Sequence, residues 1–206
     1  MSKIRLALPA LAVLGILLAT PPAAAQTGSL HADDATEPAG IVARYLLMDP
    51  AGHAVSNEDF RGRFQLITFG YTQCPDVCPT TLAEMAEILK LLGERAARLQ
   101  PLFVTVDPAR DSAAVLRGYT EFFDPRIIGL TGSPALIRRV ADNFRIKYEK
   151  VQEPGAAPNH YWMDHSAGMF LLGPDGAFVA KFAYATPAAE IAGRIRDLMD
   201  KAAPAR

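Results

Sequence analysis

Both cysteines of this chain fall in one stretch, Phe69-Gly70-Tyr71-Thr72-Gln73-Cys74-Pro75-Asp76-Val77-Cys78-Pro79, which separates two opposite kinds of patterning. Ahead of it, Phe64 to Phe69 is an apolar run that reads as a buried strand. Behind it, Leu82, Met85, Ala86, Leu89 and Leu92 recur at helical spacing, and Gly93 supplies a stop. A strand that hands two thiols to the start of a helix belongs to an α/β domain. The partial positive charge of a helix N-terminus favours thiolate over thiol. Thiolate is both the nucleophile and the metal-binding form of cysteine, so the position suits either chemistry. With three residues between them, the sulfurs share one face of a helical turn, where they can close a disulfide or converge on one soft metal ion. Two helix starts compete: Thr81 with Glu84 as a capping box, or Cys78 as N-cap with Pro79 in the first position.

The rest of the chain repeats the alternation. Ile41 to Met48 and Ala54-Val55, on either side of Asp49-Pro50-Ala51-Gly52, read as an N-terminal hairpin with His53 exposed at its turn. Pro101 to Val106 is a second buried strand. It runs into Asp107-Pro108-Ala109-Arg110-Asp111, read as a turn and the N-cap of a helix that should bury Val115, Tyr119, Phe122 and Phe123. Ile127 to Leu130 is a short strand, and Ser133-Pro134 opens a helix burying Leu136, Ile137, Val140 and Phe144. Ile146 to Val151 reads as a strand and Gln152 to Asn159 as a loop. Trp162 to Leu172 is an apolar run interrupted by Asp164-His165-Ser166, and Gly173-Pro174-Asp175-Gly176 turns it back into Phe178 to Phe182. Thr186-Pro187 caps a last helix whose apolar face holds Ala188, Ile191, Ile195 and Leu198. The expected architecture is a thioredoxin-like α/β fold, a central mixed sheet flanked by helices, with an N-terminal hairpin.

A chain of 206 residues can bury a sizeable core in one domain, and a net charge of −1 offers no basic field for nucleic acid. Lys3 and Arg5 precede an apolar run from Leu6 to Ala19, and Ala23-Ala24-Ala25 supplies a small-residue cleavage site. Residues 1–25 therefore read as a secretory signal peptide cut after Ala25. An uncleaved membrane anchor is the competing reading, against which Pro9, Gly15 and the shortness of the run count. Either way the domain is exported, to the periplasm or its inner-membrane face, where a disulfide can persist. Residues 26–40 are polar and aperiodic and read as a flexible linker, with His31, Asp33 and Asp34 in a solvated tail; residues 41–206 form the domain.

A disulfide between Cys74 and Cys78 would close so short a loop that its chain-entropy gain is only roughly 2 kcal/mol. A redox or metal role explains the pair better than a staple does. Without a second metal-spaced cysteine pair, a structural zinc site is not expected. His165 is the candidate third ligand, provided the C-terminal hairpin packs near the cysteine loop. Two thiolates and an imidazole form a soft, low-coordinate set that suits copper(I), while imidazole also serves copper(II). His160 is the alternative ligand, in a loop that should be exposed, and Met169 reads as core. Asp164 is a candidate for holding the His165 ring, and Asp107 or Asp111 for orienting the site.

Taken together, Phe69 to Pro79, Val106-Asp107-Pro108-Ala109-Arg110-Asp111 and Asp164-His165-Ser166 resemble the Sco/SenC family of copper-binding assembly factors for cytochrome c oxidase. Gly129-Leu130-Thr131-Gly132 and Leu172-Gly173-Pro174-Asp175-Gly176 are lesser matches, and the resemblance runs from about Leu47 to Leu198. It implies a thioredoxin-like domain in which Cys74, Cys78 and His165 bind one copper ion. It also implies that copper passes to the dinuclear centre of cytochrome c oxidase subunit II, or that the thiols building that centre are kept reduced. Other periplasmic copper chaperones or thiol reductants are the further partners it suggests. The cleavable N-terminus departs from the anchored members of the family. Three function classes stay open: a copper chaperone, a thiol–disulfide oxidoreductase using the redox-active pair Cys74 and Cys78, and a copper or redox sensor. His165 separates the first two, because disulfide exchange needs no third ligand. Three intervening residues, instead of the two of a thioredoxin motif, lean towards metal.

Overall fold

A computed structural model describes residues 40–202 of the protein. The expected signal peptide, the expected linker up to residue 39, and His31 with Asp33 and Asp34 lie outside the described residues. Among the described residues no helix is long and apolar enough to cross a membrane. Strands β1 (Leu46–Met48) and β2 (Ala54–Ser56) pair antiparallel, and the Asp49 carboxylate accepts from the backbone amides of Ala51 and His53 at the turn. Residues 41–45, expected to be part of the first strand, are not in it.

The core elements follow as β3 (Phe64–Gly70), α1 (Val77–Leu92), β4 (Leu99–Thr105), α2 (Ala113–Phe123), β5 (Ile128–Leu130) and α3 (Pro134–Asn143). Then come β6 (Tyr148–Val151), β7 (Trp162–His165), β8 (Met169–Leu172), β9 (Phe178–Phe182) and α4 (Ala188–Lys201). The central sheet has the order β5-β4-β3-β8-β9, with β3, β4 and β5 parallel and β8 antiparallel to both its neighbours. This is the thioredoxin-like mixed sheet that the sequence leads one to expect. Every residue of β3 and β4 is buried, which is why both read as continuous apolar runs. Their polar members are satisfied internally: Tyr45 donates to Gln65 at 2.7 Å, Gln65 to the Asn57 carbonyl at 3.1 Å, and Thr68 to the Gly168 carbonyl at 3.0 Å. Phe170 packs edge-on against both Phe69 and Phe144, which are tilted against each other, with ring centroids 5.4–5.9 Å apart, fixing the end of β3 against β8 and the exit of α3.

Five expectations are corrected. α1 starts at Val77 with Asp76 as N-cap, five residues ahead of a Thr81 cap and two ahead of a Cys78 cap. The Thr81 hydroxyl folds back onto the Val77 carbonyl instead of capping. In α2, Val115 is 45% and Phe122 83% exposed, while Leu116 and Thr120 are buried. The inward stripe is Leu116, Tyr119, Thr120 and Phe123, and the Thr120 hydroxyl is buried because it bonds back to the Leu116 carbonyl. The cap of that helix is Ser112, not Asp111. The run from Trp162 to Leu172 is two strands in different sheets: β7 pairs with β6 in a two-stranded sheet, and β8 joins the core. Gly168, at φ 123° with the Phe182 carbonyl where a side chain would be, makes the break. At α4 the N-cap is Pro187, and the Thr186 hydroxyl donates to Ala183.

Candidate metal centre

The site begins where β3 stops. A Cβ on Gly70 would lie 2.7 Å from Cys78 Sγ and 2.8 Å from the Phe103 ring, so only glycine leaves room for the sulfur against the strand end. Beyond it, the Cys74 amide donates to the Tyr71 carbonyl at 3.3 Å and bends the loop towards α1. Asp111, fully buried, fastens that loop to the end of β4. It accepts from the Thr72 amide at 3.1 Å, the Thr72 hydroxyl at 2.6 Å and the Thr105 hydroxyl at 2.6 Å. Burial pushes its carboxyl pKa up, and these hydrogen bonds pull it back.

No side chain caps α1, and one of its first amides, that of Cys78, donates to Cys74 Sγ at 3.4 Å. The free helix end is thus directed at a sulfur. Cys74 is half-buried and Cys78 is 2% exposed, and both are free thiols. Burial raises the Cys78 thiol far above its ordinary value, against the pull of the Tyr71 backbone amide, so without a metal it stays protonated.

His165, the last residue of β7 and paired with Tyr148 of β6, is half-buried beside the sulfurs. Its Nδ1 lies 3.0 Å from the Ser166 carbonyl and donates to it, which leaves Nε2 as an acceptor 3.5 Å from Cys78 Sγ. Burial lowers the imidazole pKa, keeping the ring neutral and its nitrogen lone pair available. The Tyr71 ring stands edge-on to it at 6.0 Å. The ligand atoms of Cys74, Cys78 and His165 all lie within 4.8 Å of one another, the one such cluster found among the described residues. Two sulfurs and a neutral imidazole at that separation fit a soft metal ion of low coordination number.

The remaining candidates divide. Asp164 does not hold the histidine. Alternation along β7 puts it on the opposite face, exposed, where it accepts from Trp162 Nε1 at 3.2 Å; a backbone carbonyl takes the role expected of it. Asp107 is buried and ion-paired with Arg110, and it accepts from the Tyr161 hydroxyl at 2.9 Å. His160 and His53 are exposed and away from the cluster, and Met169 is buried in β8. Sequence reasoning missed Gly70, Ser166 and Tyr161. Gly70 carried a signal, since a glycine ending a strand marks a close approach. The Ser166 carbonyl carried none.

The profile of the SCO1/SenC family matches residues 33–200, most of the sequence. The chain belongs to the SCO1/SenC family. Of its SCO1/SenC relatives, the SCO2-like protein of Rickettsia felis is 38% identical over 136 residues, 66% of each chain, so just under two thirds of that relative is spanned. Among solved structures, Bradyrhizobium japonicum ScoI with copper bound is similar at a TM-score of 0.68 and 38% identity, over 75% of this chain and 96% of that one. Yeast Sco1 with copper bound is similar at 0.71 and 33%, over 79% and 90%. The SCO1/SenC fold therefore extends across the sheet and the cysteine loop alike.

Proposed function

We propose that this protein carries one copper ion, held by Cys74, Cys78 and His165, and serves in cytochrome c oxidase assembly by passing that ion to the dinuclear copper centre of subunit II. The observation that carries the reading is the convergence of three soft or borderline donors within 4.8 Å. The copper-bound relatives and the family membership support it. The N-terminal pattern of Lys3, Arg5, the apolar run and Ala23-Ala24-Ala25 supports export to the periplasm.

Copper is the cargo. Its arrival displaces the thiol protons, since thiolate is the ligand form, while neutral His165 has no proton to lose from Nε2. Half-buried Cys74 is the sulfur a recipient can reach first. Burial makes protonation of Cys78 favourable once the metal leaves, so the fold resets itself to the thiol form. A second reading, a reductant of the recipient's cysteines, is favoured by one feature: Cys74, whose Sγ accepts from the Cys78 amide, is the more accessible sulfur and the one a disulfide partner can reach.

Complementation at low copper separates the two. Deleting the gene lowers oxidase activity, and added copper partly restores it. His165→Ala fails to complement at low copper although its cysteines still cycle. Full complementation by His165→Ala, alongside failure of both cysteine variants, would overturn transfer in favour of thiol reduction.

A further inference from the structure

The third ligand is carried by an element that the central sheet does not hold. Strands β6 and β7 pair only with each other, so β7 gains no ladder hydrogen bonds from the core. At its C-terminal end the chain is moored by Gly168, whose carbonyl accepts from Thr68 at 3.0 Å. At its N-terminal end the mooring is Arg110.

Arg110 comes from the turn after β4, and its side chain is only 13% exposed. Its Nη1 donates to the Tyr161 carbonyl at 2.9 Å and to Gln73 Oε1 at 2.9 Å. Tyr161 immediately precedes β7, and Gln73 immediately precedes Cys74. The guanidinium carbon also lies over the Tyr161 ring, 3.6 Å from its centroid, and the group is ion-paired with buried Asp107. Asp107 in turn accepts from the Tyr161 hydroxyl at 2.9 Å, closing a cycle of three side chains. One guanidinium nitrogen therefore bridges the loop that carries the thiols and the segment that leads into the strand carrying the imidazole.

We infer that Arg110 is a positioning residue that sets the distance between His165 and the cysteine pair, by clamping Tyr161 and Gln73 to one guanidinium. The inference rests on the copper-binding reading above. With the clamp intact, the entry of β7 is pinned beside the thiol loop, in addition to the seat of buried Met163, and the imidazole stays within reach of the sulfurs. With the clamp released, the N-terminal end of β7 lifts and the imidazole is held less well, while the thiols, seated by Gly70 and Asp111, keep their places.

The test is copper binding by the purified, reduced domain of wild type and of Arg110→Gln, Arg110→Lys, Tyr161→Phe and His165→Ala, each with either copper oxidation state. Nitrogen hyperfine coupling in the copper(II) electron paramagnetic resonance spectrum reports the imidazole. Arg110→Gln is expected to weaken copper(II) binding by about tenfold, to diminish the nitrogen coupling, and to leave copper(I) affinity unchanged. Arg110→Lys is expected to fall between wild type and Arg110→Gln, because an ammonium can donate to both acceptors of Nη1 but loses the Nε contact with Asp107 and the guanidinium stacked over the Tyr161 ring. Tyr161→Phe, which removes one hydrogen bond and keeps the ring, shows a smaller loss in the same direction and carries the test if the Arg110 variants do not fold. Wild-type nitrogen coupling and copper(II) affinity in the Arg110 variants, or in Tyr161→Phe when those variants fail to fold, overturn the clamp. His165→Ala separates the two claims: if it alone loses the coupling, the clamp is wrong and the site stands. If His165→Ala binds copper(II) like wild type, the ligand set itself is wrong.

Discussion

The cysteine loop and the β6–β7 hairpin bring ligands to the same point by different physics. The loop is part of the core. Its sulfur rests on Gly70, its backbone is fastened by fully buried Asp111, and the strand before it is buried along its whole length. The hairpin pairs with no strand of the central sheet and is held by side chains: Arg110 and Tyr161 at one end, the Thr68 hydroxyl at the other, and between them buried Met163, whose backbone amide meets the Tyr71 hydroxyl. The sulfurs are therefore fixed as firmly as the fold, whereas the imidazole is held by a few polar and stacking contacts. Under the transfer reading proposed above, this division would let the thiolates supply affinity while the more loosely held histidine is the ligand easiest to withdraw.

Breaking the core half should have the largest effect. Cys74→Ser or Cys78→Ser is expected to abolish tight copper binding, measured by competition with a chromophoric chelator, because one thiolate and an imidazole cannot replace the soft pair. Gly70→Ala comes next. The added methyl meets Cys78 Sγ and the Phe103 ring, so overpacking should cost about 1–3 kcal/mol in denaturant melts and weaken copper binding by displacing the sulfur.

The loop also sets a pH dependence. The folded Cys78 thiol has a pKa raised above its ordinary 9.0, so above that pH the unfolded chain has released a proton that the folded chain retains. Stability of the copper-free domain is present in full below pH 9.0 and should fall above it by about 1.4 kcal/mol per pH unit while the folded thiol stays protonated. Cys78→Ala should remove that fall between pH 9 and 10, below the range in which the raised Tyr45 and Tyr119 hydroxyls add their own, and chemical denaturation would detect it. The smallest effect belongs to the outer face of the hairpin. His160→Ala and Asp164→Ala are expected to bind copper like wild type, and a marked loss in either would mean that the hairpin sits differently on the loop.

The same division decides what the sequence disclosed. The cysteine loop was legible because a buried strand, a thiol pair and a helix are consecutive, and each follows a local rule. His165 was legible as a ligand type, but its place depended on a packing that no local pattern encodes. The break between β7 and β8 was hidden inside one apolar run, because strand partners are chosen by tertiary contacts and only Gly168 marked the switch. In α2 the aromatic residues suggested a stripe one position out of phase. The true face contains Thr120, whose hydroxyl is satisfied within its own helix and so is buried like an apolar group. Asp111 looked like a cap by position and serves instead as the buried acceptor for Thr72 and Thr105, partners far from it or unremarkable in sequence.

X-ray absorption at the copper edge, on the copper(II)-loaded domain of wild type and His165→Ala, tests the central claim most directly. Two sulfur ligands and one imidazole nitrogen are expected in the wild type, and two sulfurs without that nitrogen in the variant. A spectrum without sulfur, or one in which His165→Ala keeps its imidazole scattering unchanged, would contradict the shared site of Cys74, Cys78 and His165.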